Sequence, residues 1–93
     1  MKEEPHSELG YVIASTYRQA VLLALTESVL CPTEIVEKTK YPQSHISKTL
    51  RELTSRSLVV CLNPNDRKGR LYSLTQDGRI VCAQLACRDR KQP

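Results

Sequence analysis

Ser44, Ser47, Lys48, Arg51 and Ser55 fall together on one side of a helix, across from Ile46, Leu50 and Leu53, which recur at steps of four and three. The outer face is therefore short hydroxyls and two cations, with no acid among its members. Lysine and arginine side chains in such a setting reach phosphates or guanine edges, and serines let a backbone approach closely. A polar helix face is by itself usually no more than a solvated one. Its neighbours give this one weight.

A second group of cations lies downstream. The segment Asn63-Pro-Asn-Asp-Arg-Lys-Gly69 is turn-rich. It separates two short strand-like runs, Leu58 to Leu62 and Arg70 to Leu74, and together they read as a β-hairpin. Arg67 and Lys68 sit at its tip and Arg70 at its base. A hairpin tip serves no core, so adjacent cations there are either solubilising or bound to an anion. Between Pro42 and Ser73 six cations face two acids, a surplus equal to the +4 of the entire 93-residue chain. Positive charge concentrated in one third of a chain is the electrostatic footprint of a nucleic-acid partner.

Other residue types that could do chemistry are poorly placed for it. His45 projects between the inner and outer faces of its helix with no acid or nucleophile at a telling spacing, and His6 lies near the terminus. Cys31, Cys61, Cys82 and Cys87 show no CxxC spacing, and on ideal helical geometry Cys82 and Cys87 point ~140° apart. Buried, reduced packing residues are the favoured reading; a redox pairing of Cys82 or Cys87 across a dimer axis is the alternative. No phosphate loop, HExxH or nucleophile elbow is present. No enzyme, no metal and no cofactor are expected. With four Tyr, no Phe and no Trp, stacking of unpaired bases on aromatic platforms is disfavoured as well.

The elements that must position these residues follow from the pattern. The chain suits one small domain, 1–93, with loose tails at 1–6 and 89–93. A first helix is expected from Ser7 or Glu8 to about Glu27, with Tyr11 and Leu22 on its far side, either as two stray apolar residues of a core helix or as part of a contact with a partner subunit. After a break at Ser28 to Cys31, Pro32 opens a short helix to about Lys38, with Glu34 in its first turn as the helix dipole favours. A tight turn at Thr39 to Tyr41 leads to Pro42 and the helix 42–56. Beyond the hairpin, Thr75 and Asp77 are start signals for a last helix, Gln76 to about Arg88, which is apolar nearly all round. Such a helix has more apolar surface than one small core covers, so a homodimer through the first and last helices is expected. The acidic start MKEEPHSE carries no leader pattern, and the longest apolar run, Ala20 to Leu25, is too short to cross a bilayer, so a cytoplasmic location with no membrane partner is the default.

Mainly α with a small β-hairpin, in the order α-α-α-β-β-α, this arrangement resembles the winged helix-turn-helix fold. From about Tyr17 to Gly78 the text also resembles the MarR-like and ArsR-like regulators of archaea and bacteria. The matching pieces are PTEIVEKT with SHISKTLRELTSRSLV, then NPNDRKGRLYSLT, and LTQDG. The resemblance implies a dimeric, sequence-specific binder of double-stranded DNA that regulates transcription. Helix 42–56 would enter the major groove with Gln43, Ser44, Ser47, Lys48 and Arg51 facing DNA. The wing 63–70, with Arg67, Lys68 and Arg70, would reach the flanking backbone or minor groove. A winged helix used as a protein–protein module in a transcription assembly is the alternative. Three departures stand out. Lys40 occupies a turn position where many relatives have Gly, the cysteine-rich metal site of some ArsR-like sensors is absent, and the chain is shorter than typical MarR-like proteins.

Overall fold

A computed structural model describes residues 5–90, and the side chains of residues 8–86. Five helices and one hairpin follow each other along the chain: α1 Pro5–Ile13, α2 Thr16–Ala24, α3 Pro32–Thr39, α4 Gln43–Ser55, β1 Val59–Cys61, β2 Tyr72–Leu74 and α5 Gln76–Arg90. Residues 5, 6, 89 and 90, expected in loose tails, are helical; the remainder of both tails lies outside the described residues.

The long first helix expected from the apolar pattern is two helices. Ser15 adopts an extended backbone and its hydroxyl accepts the Arg18 N–H at 3.3 Å, so it caps α2 and ends the path of α1. Serine offers the backbone this local alternative to continuing a helix, which apolar spacing alone does not register. The break also changes which residues face inward. Leu22, expected on a partner-facing side, is fully buried within this chain, together with Val12, Val21 and Leu25; Leu23 is the one turned to solvent.

The core gathers these residues with Leu30, Ile35, Ile46, Leu50, Leu53, Leu58, Val59, Leu74, Val81, Cys82 and Leu85. The apolar stripe of α4 is thus seated against α2 and α3, which leaves its opposite side in water. In the expected break, Leu30 exchanges backbone hydrogen bonds with Tyr72 at 3.2 and 2.8 Å, adding a one-residue third strand to the sheet. The β1–β2 register pairs Val59 with Leu74 and Cys61 with Tyr72, and places the loop 62–71 at the open end.

Three local devices fix the joints. Lys40 ends α3 at φ 67°, in the left-handed region, with its N–H on the Val36 carbonyl at 2.7 Å. Pro42 is the N-cap of α4 and not its first helical residue. Thr75 caps α5 by accepting the Gly78 N–H at 3.0 Å, and its hydroxyl donates to the Ser57 carbonyl at 2.6 Å. Gly78 packs so tightly on Leu58, the residue before β1, that a Cβ there would lie 2.1 Å from the Leu58 carbonyl oxygen. That contact, and not backbone freedom, is why a glycine stands inside the first turn of α5.

Candidate nucleic-acid interface

Helix α4 buries Ile46, Thr49, Leu50 and Leu53 and exposes Gln43, Ser44, Ser47, Lys48, Arg51 and Ser55, as the periodicity requires. Its single acid, Glu52, is turned away from the outer face. The half-buried Arg18 donates from Nε to Glu52 Oε1 at 3.2 Å and from a terminal nitrogen to the Tyr11 carbonyl at 2.7 Å. Its guanidinium also lies 3.7 Å from the centre of the Tyr11 ring, whose other neighbour is the Arg56 guanidinium at 4.0 Å. One arginine therefore ties α1, α2 and α4 together and pairs with the one carboxylate of α4.

The hairpin and α4 enclose a cleft of about 880 Å³. Gln43, Ser47 and Arg51 line it from the helix, Arg67, Lys68 and Arg70 from the loop, and Thr33 from the start of α3. Six of the eight expected residues are brought around one concavity. Ser44 and Lys48 are exposed on the ridge of α4 outside it. Among the described residues no acid lies within ion-pair distance of Lys48, Arg51, Arg67, Lys68 or Arg70. Arg70 is partly engaged: its Nε donates to the Asp66 carbonyl at 2.6 Å.

Asn63, by its sequence context a turn residue, shapes the loop. Its Nδ2 donates to Asp66 Oδ2 at 2.9 Å and to the Gly69 carbonyl at 3.2 Å, and its Oδ1 accepts the Leu71 N–H at 2.7 Å. The Asn-Pro-Asn-Asp text signals a turn, but not that one amide would bridge both ends of it. Arg18 was missed for a related reason, since its partners are 7 and 34 residues away.

His45 stacks flat on Tyr17, ring centres 4.5 Å apart, and Tyr17 meets Tyr41 edge-on at 4.7 Å. This packs the start of α4 onto α2 and accounts for the histidine without catalysis. Cys82 is buried and its thiol lies 3.6 Å from the Leu22 carbonyl; burial pushes its pKa up to about 11, against a smaller opposing effect of Arg79. Its burial in the core also leaves Cys82 poorly placed to meet a thiol of a second subunit. Cys31 and Cys61 are half-buried where full burial was expected, and the side chain of Cys87 lies outside the described residues. Among the described residues no three metal-ligating side chains converge, and no helix is long and apolar enough to cross a membrane.

No protein-family model matches the chain, and no curated protein matches it. Solved structures do. A double mutant of Lactococcus lactis ZitR is 27% identical over 83% of this chain and 53% of its own, with a TM-score of 0.74. NMB1585, a MarR family regulator from Neisseria meningitidis, is 28% identical over 91% of this chain and 61% of its own, also with a TM-score of 0.74. Wild-type ZitR in complex with DNA is 26% identical over 83% and 53%, with a TM-score of 0.72. The chain thus spans about half the length of ZitR. With its two-stranded hairpin following a helix-turn-helix, the chain is a winged helix-turn-helix domain similar to the MarR-family transcription regulators.

Proposed function

We propose that this chain is a sequence-specific, double-stranded-DNA-binding transcription regulator that acts as a homodimer. The observation that carries this reading is the cationic cleft shared by α4 and the wing, with no acid among the residues that line it, on a fold whose relative ZitR has been solved with DNA. Helix α4 would lie in the major groove, with Gln43, Ser44, Ser47 and Arg51 reading base edges. Lys48, Arg67, Lys68 and Arg70 would hold phosphates, the wing reaching the flanking backbone or minor groove. The exposed Ile80, Ala83 and Ala86 of α5 support a subunit contact through the last helix. With Leu22 buried in the core, α2 offers Leu23 alone in support of the other half of that contact.

Binding to random duplex DNA across a salt series, with the mass in solution measured alongside, tests this. A dimer whose log affinity falls steeply with log salt is expected, at roughly 0.9 per phosphate neutralised. A monomer that ignores duplex at low salt would overturn the reading. It would leave the protein-docking alternative, for which the solvent-facing Val60, Leu62 and Leu71 of the hairpin are the specific observation.

A further inference from the structure

We infer that Asn63 is the positioning residue of the wing, holding the loop 63–71 in one shape so that Arg67 and Lys68 are presented as a fixed pair of cations. This rests on the DNA-binding reading and adds to it the residue on which the wing depends. An amide side chain has two donor hydrogens and two acceptor lone pairs. Both Asn63 donors are spent inside the loop, on Asp66 Oδ2 and the Gly69 carbonyl. Its oxygen accepts the Leu71 N–H, and the Cys61 thiol lies 3.8 Å from the same oxygen. Nothing is left over for a ligand, so Asn63 acts through the residues it holds.

The three partners lie at the near side, the far side and the exit of the turn, and Arg67 and Lys68 lie between them. The Asp66 N–H donates to the Asn63 carbonyl at 3.1 Å and Arg70 Nε to the Asp66 carbonyl at 2.6 Å, which closes the base of the loop on the same residue pair. Apart from these bonds the loop has little to order it, since 64–70 are all exposed. A loop backbone fixed before binding does not have to be ordered during it, and that saving appears as affinity.

The full-length chain carrying Asn63→Ala tests this with two readouts. The first needs no DNA: hydrogen exchange at the Leu71 amide should accelerate while the amides of α4 keep their protection. The second is affinity for random duplex at fixed salt. Asn63→Ala should weaken binding about three- to tenfold in the wild-type background and less than about twofold in an Arg67→Ala/Lys68→Ala background, because there is then no pair left to position. The exchanged pair Asn63→Asp/Asp66→Asn restores a donor opposite an acceptor and should recover part of the Leu71 protection, whereas Asn63→Asp alone sets two carboxylates against each other. Unchanged exchange at Leu71 would overturn the inference, as would an equal loss of affinity in both backgrounds. A chain that binds no duplex at all would sink the DNA-binding reading, while the Leu71 amide would still decide whether Asn63 shapes the loop.

Discussion

Gly78→Ala is the most informative single perturbation of the fold, because two physical effects with opposite signs meet there. Gly78 lies inside α5, where alanine is favoured over glycine by roughly 0.8–1 kcal/mol on helix propensity alone. The added Cβ would sit 2.1 Å from the Leu58 oxygen, 3.2 Å from the Leu58 carbonyl carbon and 3.2 Å from Leu74 Cδ2. Two of those atoms are backbone, so no rotamer change relieves the clash, and the start of α5 and the start of β1 have to separate by about an ångström. Leu58 is also held there: its carbonyl accepts the Thr75 N–H at 3.1 Å and its own N–H donates to the Leu53 carbonyl at 3.0 Å. Overpacking of this kind costs about 1–3 kcal/mol, and a weakened backbone hydrogen bond adds about 1 kcal/mol. The net expectation after the propensity gain is a destabilisation of about 1–3 kcal/mol. For a domain of this size each kcal/mol lowers Tm by roughly 4–8 °C. Thermal unfolding followed by circular dichroism at fixed protein concentration measures it. An unchanged or raised Tm would mean that propensity dominates and that α5 is not locked to Leu58. Because Leu58 is the joint between α4 and the hairpin, the substitution should also move the wing relative to α4 and weaken binding to duplex DNA.

Three further outcomes are expected. Lys40→Gly should stabilise the domain by about 0.5–1 kcal/mol in the same melting assay, since relief of a left-handed lysine, about 1–2 kcal/mol, exceeds the entropy glycine adds to the unfolded chain. Arg51→Ala should reduce discrimination between a preferred site and random duplex, whereas Lys68→Ala should weaken both and flatten the salt slope by about one; equal effects of the two would contradict the division between base and phosphate contacts. Cys82 is held protonated by burial with a pKa near 11 against 9.0 when unfolded, so the unfolded chain releases this proton first. Stability should therefore be intact below pH 9 and fall as pH rises from 9 toward 11, a loss that Cys82→Ala should lessen in denaturant titrations made across that range.

Much of the site was legible along the chain because it is local. The three-four spacing of Ile46, Leu50 and Leu53 decides which side of α4 is buried, and with it the exposure of Ser44, Ser47, Lys48 and Arg51. Turn chemistry between two short strand-like runs places Arg67 and Lys68 at a loop tip, and Thr75 with Asp77 marks the start of α5 within a residue. Pattern and period carry this information within a few residues of where it is used.

Tertiary structure decided what depends on distant partners. The divided first helix rests on a cap at Ser15, which apolar periodicity does not see, and the burial of Leu22 follows from where α5 then packs, with Cys82 beside the Leu22 carbonyl. Helical spacing already keeps Glu52 off the outer face of α4, but the partner that pairs with it, Arg18, comes from 34 residues away. Leu30 becomes a strand only because Tyr72 is brought to it, and Gly78 is required only because Leu58 arrives against it. Sequence alone determined which residues would be cationic, exposed and near a helix or a turn. Only the folded chain could set six of them around one cleft, because that convergence is a sum of contacts between segments that no local pattern encodes.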